Sequence, residues 1–183
     1  DLDQVSKMAQ PAMPAKAEVE ETLDDIINHR AAVLTEYQDA DYAAQYLAFV
    51  RQVETAEQNK GKGMTGLTEA VARNLFKVMA YKDEYEVARL YTGEAFQAAL
   101  AQQFDGDLKL KFHLAPPLLA KRDPDSGELI KREYGPWVMT AFKLLTKMKG
   151  LRGGTFDIFG RTEERRAERA AIPAYRAVME EVL

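Results

Sequence analysis

The spacing of apolar residues changes once along this chain, and that change limits the folds open to it. From Ala17 to Phe104 they recur every three or four residues, the repeat of amphipathic helices. At Asp107 the repeat drops to two: "DLKLKFHL" alternates Leu108, Leu110, Phe112 and Leu114 with Lys109, Lys111 and His113. After Gly135 the helical repeat returns. The expected fold is mainly α (α+β), a helical bundle with a small antiparallel hairpin or sheet around residues 107–134.

Local signals divide the helical part. Leu23, Ile26, Ile27, Val33, Leu34 and Tyr37 stripe a first helix from about Ala17, and "EYQDADY" interrupts it. Asp39 or Asp41 is suited to cap a second helix carrying Tyr42, Tyr46, Phe49, Val50 and Val53. "NKGKGMTG" reads as a loop, with Thr65 capping the next helix. It lacks the phosphate-loop spacing and no strand precedes it. "NLFKVMAYKDEYEVARLY" then reads as one continuous helix, and "EAFQAALAQQF" as a short one. Asp123-Pro124-Asp125-Ser126-Gly127 is turn chemistry, Pro116-Pro117 ends a strand or marks an edge, and Leu129-Ile130 begins the return strand. Pro136 leads a helix whose buried face takes Trp137, Val138, Ala141, Phe142, Leu145 and Met148, with Gly150 as its C-cap. Thr162 opens the last helix, which Pro173 is expected to kink or split.

Composition excludes several chemistries. The 183 residues include no cysteine, which removes disulfides, thiol nucleophiles and cysteine-ligated clusters. The two histidines, His29 and His113, fall on different elements without metal-ligand spacing, so no metal site is expected. No apolar run reaches a membrane-spanning length, so no membrane partner and a cytoplasmic location are expected. Residues 1–108 hold 10 Lys/Arg and 19 Asp/Glu; residues 109–183 hold 15 and 10. Either the halves cancel by packing together, or the basic half faces an acidic partner. Nucleic acid is not expected, since the overall charge is −4 and no recognition motif is present. The Pro-containing start, residues 1–16, reads as a linker from a preceding domain, and residues 17–183 as a single helical accessory domain.

Two charged clusters are candidate sites. "YKDEYEVAR" brings Lys82, Asp83, Glu86 and Arg89 within helical reach of one another. Paired carboxylates permit acid–base work, but no motif beyond spacing supports it. The competing readings are a buried polar network and a solvated face, and no catalytic residue is assigned. "KMKGLRGG" sets Lys147, Lys149 and Arg152 beside glycines, which suits an anion such as a coenzyme A phosphate. The alternative is a helix end whose cations face its negative pole.

Three blocks carry a resemblance: "LTEAVARNLFKVMAYKDEYEVARLY" (67–91), "FHLAPPLLAKRDPDSGELIKREYGPW" (112–137) and "KMKGLRGGTFDIFG" (147–160). Together they resemble the C-terminal region of single-chain indolepyruvate ferredoxin oxidoreductases, a region described as a domain of unknown function. The resemblance implies a parent reaction, the oxidative decarboxylation of aryl-pyruvate to acyl-CoA with reduction of ferredoxin. It implies thiamine diphosphate, magnesium, iron–sulfur clusters and coenzyme A in that parent, with motifs in other domains, and no cofactor in this chain. It transfers no catalytic residue. The expected role is a non-catalytic accessory or assembly domain, whose partners are the parent's other domains or a second copy. The alternatives are a contribution to a coenzyme A or 2-oxoacid pocket, and docking of ferredoxin by the basic half.

Overall fold

The computed structural model describes residues 21–106, 109–115, 123, 126–127 and 130–183. Among them are seven α-helices: α1 (Leu23–Tyr37), α2 (Ala40–Lys60), α3 (Leu67–Met79), α4 (Glu84–Thr92), α5 (Glu94–Gln103), α6 (Val138–Lys147) and α7 (Glu163–Val182). Two short strands, β1 (Phe112–Leu114) and β2 (Arg132–Tyr134), pair antiparallel with Phe112 opposite Tyr134. The mainly helical fold with a small antiparallel sheet is the one its periodicities imply. The strand at residues 107–114 narrows to three paired residues, with Asp107 and Leu108 outside the described part. Also outside it lie residues 1–20, which contain the expected linker and helix start, as do Pro116-Pro117 and Leu129.

Helix starts follow from side-chain caps. Thr22 and Asp25 form a reciprocal capping box at α1, with Thr22 Oγ1 accepting from the Asp25 amide at 3.1 Å. Asp39, one of the two candidates, caps α2 by accepting from the Tyr42 amide at 2.8 Å. At α3 the expected Thr65 cap is replaced. The N-cap is Gly66, whose φ of 108° suits a residue without Cβ. The carboxylate of Glu57, from α2, accepts from the Leu67 and Thr68 amides at 2.7 and 3.0 Å and from the Thr68 hydroxyl. A side chain ten residues upstream thus satisfies amides that no local group reaches.

The expected continuous helix over residues 74–91 is two helices. α3 stops at Met79, and Asp83, with extended backbone, starts α4 by accepting from the Glu86 amide at 2.8 Å. A short polar cap competes with helix continuation. Asp83 therefore lies at a helix start, not in line with the apolar stripe of α3.

Packing forms two cores. Ile26, Ile27 and Leu34 of α1, Tyr46, Val50 and Val53 of α2, and Val71, Leu75 and Met79 of α3 make the larger one, with Ile172, Tyr175 and Met179 of α7 against it. Fully burying one such aliphatic side chain contributes about 1.5–3 kcal/mol. The smaller core joins Ala88 of α4, Phe112 of β1, and Val138 and Phe142 of α6. There Tyr91 stacks on Phe142 and meets Phe112 edge-on.

Two further expectations are corrected and a third is narrowed. Trp137 is 63% exposed, because it precedes α6 rather than facing inward from it. Gly150 does not cap α6; it lies in a 3-10 turn, Lys149–Leu151, that extends the helix end. Of the kink or split expected at Pro173, the split does not occur: α7 runs unbroken through Pro173, which has no amide to donate back along the helix. Of the expected turn at Asp123–Gly127, Pro124 and Asp125 lie outside the described residues; the Gly127 amide donates to the Asp123 carbonyl, and Gly127 has φ 71°. Among the described residues no helix is long and apolar enough to cross a membrane.

Candidate functional site

The two cores meet at a buried polar centre. Asp83, at the start of α4, and Arg152, just after the 3-10 turn, are each almost wholly buried. The guanidinium Nε and Nη2 donate to Asp83 Oδ2 and Oδ1 at 2.5 and 3.0 Å, while Nη1 donates to the Tyr37 carbonyl at the end of α1. The same guanidinium lies 3.6 Å from the Tyr37 ring centroid and 5.5 Å from that of Tyr85. Arginine suits this position because its planar fork meets a carboxylate with two bonds and stacks on rings. Burial is the largest single effect and works against the Arg152 charge, but Asp83 together with Tyr37 and Tyr81 outweighs it and the pKa is raised. Burial also pushes the Tyr37 hydroxyl above its ordinary value, and that of Tyr85 up to about 12.

A second buried carboxylate stands behind the first. Asp157 accepts from the Gly153 amide at 2.7 Å, the Gly160 amide at 2.9 Å and the Tyr85 hydroxyl at 3.3 Å. A Cβ at Gly160 would collide with the Asp157 carboxylate and the Arg169 guanidinium. The loop from Gly153 to Gly160 is thus drawn around one side chain. Its flanking residues face outward: Phe156 is 77% exposed and Ile158 49%.

The candidates from the two charged segments regroup. Glu86 holds Arg89 with both carboxylate oxygens, at 2.8 and 2.9 Å, and Arg89 reaches Glu36 at 2.8 Å. Asp83 joins not these but Arg152, which the sequence places in the other cluster. Lys82 is exposed and outside these pairs. Lys149 Nζ donates to the Glu36 carbonyl at 2.5 Å and the Thr35 carbonyl at 3.3 Å, so it and Arg152 both serve the C-terminal end of α1. That end has no basic residue of its own. Lys147 is exposed on α6. Both Asp83 oxygens are engaged as acceptors.

His29 and His113 are exposed, with His113 4.0 Å from Glu133. Among the described residues no three His, Asp or Glu side chains gather as a metal-binding group. Sequence reasoning missed Asp157, Tyr37 and Tyr85. The signal for Asp157 is a lone acid inside "GGTFDIFG", between glycines whose amides it binds. The signal for Asp83 as a cap is the Asp-x-x-Glu spacing to Glu86, the pattern of a helix start.

Beside Arg152 opens a cleft of about 340 Å³ between α2, the 81–83 connection and α7, with Tyr42, Tyr81, Arg169 and Arg176 in its wall. No curated protein and no solved structure matches the chain. Residues 23–183 match a family described as a family of unknown function, DUF6537, and the chain belongs to that family.

Proposed function

We propose that this domain is a non-catalytic accessory module that assembles with the other domains of an indolepyruvate:ferredoxin oxidoreductase. The parent assignment is supported by the resemblance of the blocks at 67–91, 112–137 and 147–160. The observation that carries the accessory role is the loop staked by Asp157, which offers Phe156 and Ile158 to solvent on a backbone fixed at Gly153 and Gly160. Large apolar side chains held outward on a pinned loop suit a docking contact. The polar centre beneath is engaged in holding elements together. The chain has no cysteine to ligate an iron–sulfur cluster, so electron transfer through such a cluster belongs to other parts of the parent.

The test replaces Phe156 by Asp and Ile158 by Ser in the intact oxidoreductase. The expected result is loss of assembly, read by light scattering, with helical content preserved. Wild-type assembly and wild-type ferredoxin reduction in this variant would overturn the docking role.

A further inference from the structure

The cleft beside Arg152 has guanidinium groups in its wall and no carboxylate among its lining residues. Their partners differ. Arg152 is fully engaged by Asp83 and the Tyr37 carbonyl. Arg169 donates through Nη2 to the Gly160 carbonyl, but its buried Nη1 has no hydrogen-bond acceptor and stands 3.9 Å from Asp157. Arg176 donates to the Gln45 carbonyl at 3.3 Å, while its buried Nε has no acceptor; among the described residues no carboxylate lies within 4.0 Å of it. Asp83 balances Arg152 and Asp157 partly balances Arg169, while the half-buried Arg176 lies 5.5 Å over the Phe49 ring with no carboxylate partner among the described residues. The remaining wall includes the Tyr42 and Tyr81 side chains and Pro173, and the Tyr42 hydroxyl is already engaged on the Met79 carbonyl.

We propose that this cleft binds a small organic oxyanion, a carboxylate or a phosphate ester with an apolar body, through Arg169 and Arg176. Buried N–H donors without acceptors favour any oxygen that reaches them, and charge-assisted bonds from a guanidinium fork are the strong ones. The tyrosine rings and Pro173 provide the apolar contact for the body of the ligand. The volume lies at the lower end of small-molecule sites. Pro173 sits between Arg169 and Arg176 on the cleft-facing side of α7, so helix and ligand share one wall. The site stands independently of the accessory role, since it needs no residue of the Phe156 loop.

The test is an NMR titration of the 183-residue chain with sodium benzoate and, separately, phenyl phosphate, against sodium chloride at matched ionic strength. The arginine Nε–H signals are followed. The expected result is a saturable shift of the Arg169 and Arg176 signals with at least one organic probe; saturation by benzoate alone assigns a carboxylate, by phenyl phosphate alone a phosphate ester. Arg176→Gln should weaken that binding at least about tenfold, while Arg73→Gln, at an exposed pair on α3, should bind as the wild type does. Should Arg176→Gln fail to fold, the wild-type titration still decides. Shifts no larger than those of chloride with both probes at millimolar concentration would overturn the proposal, as would equal binding by folded Arg176→Gln.

Discussion

Arg152 grips Asp83 with two near-parallel bonds, Nε to Oδ2 at 2.5 Å and Nη2 to Oδ1 at 3.0 Å, across 69 residues of chain. Asp83 begins the helix that leads into the smaller core, and the Nη1 of Arg152 rests on the last turn of α1 in the larger one. One ion pair therefore ties the two cores together. Replacing a well-buried pair by apolar residues is often harmless, but removing one partner strands the other. Arg152→Ala is expected to cost about 3–5 kcal/mol. Arg152→Lys, which keeps charge but not the fork, should cost less, and urea unfolding of both variants measures the difference.

Asp157 organises its loop rather than the cores. Asp157→Ala leaves the Gly153 and Gly160 amides without their acceptor, at a cost of about 2 kcal/mol. Hydrogen exchange should accelerate at those two amides while the amides of α1, α2 and α3 keep their protection. Unchanged exchange at Gly153 and Gly160 would show that the loop is held by something else.

Glu57 makes the start of α3 sensitive to acid. The Thr68 hydroxyl, the largest effect, holds its carboxyl below the ordinary value; burial, second in size, opposes it, and the Thr68, Leu67 and Gly66 amides add to the lowering. Because the folded pKa is depressed, the unfolded chain binds more protons between the two values. This contribution is then complete above the unfolded pKa and is lost as pH falls through the folded one. Glu57→Gln should lower stability by about 1 kcal/mol near neutral pH. The gap between variant and wild type should close as pH falls below the ordinary glutamate value of about 4.3. Urea midpoints on both sides of that value check it; a constant gap would contradict it.

Lys149 and Lys147 separate the two readings of their segment. Lys149 faces the last carbonyls of α1, so Lys149→Ala should cost about 0.3–1 kcal/mol and less in high salt. Lys147→Ala, in the exposed last turn of α6, should shift the unfolding midpoint less than Lys149→Ala does. Equal effects of the two substitutions would remove the helix-end role.

The sequence carries the helices well because their apolar periods and local caps, such as Thr22 and Asp39, lie within a few residues of one another. It carries the centre poorly because those partners are distant. Nothing local pairs Asp83 with Arg152, or Glu57 with the start of α3. The break at residues 80–83 was legible in the spacing of Asp83 and Glu86, but the apolar stripe on both sides masks it. Trp137 misleads for a related reason: it fits the periodicity of α6 yet falls just before the first helical residue.

Asp83→Ala, made in the proposed parent enzyme, tests most directly whether the charged segment is a lock rather than a catalytic centre. Urea unfolding and the proposed parent's turnover are measured on the same preparation. The expected result is a loss of about 3 kcal/mol or more in stability, with turnover per folded molecule retained. Wild-type stability would contradict the lock, and wild-type stability with lost turnover would place catalysis at Asp83.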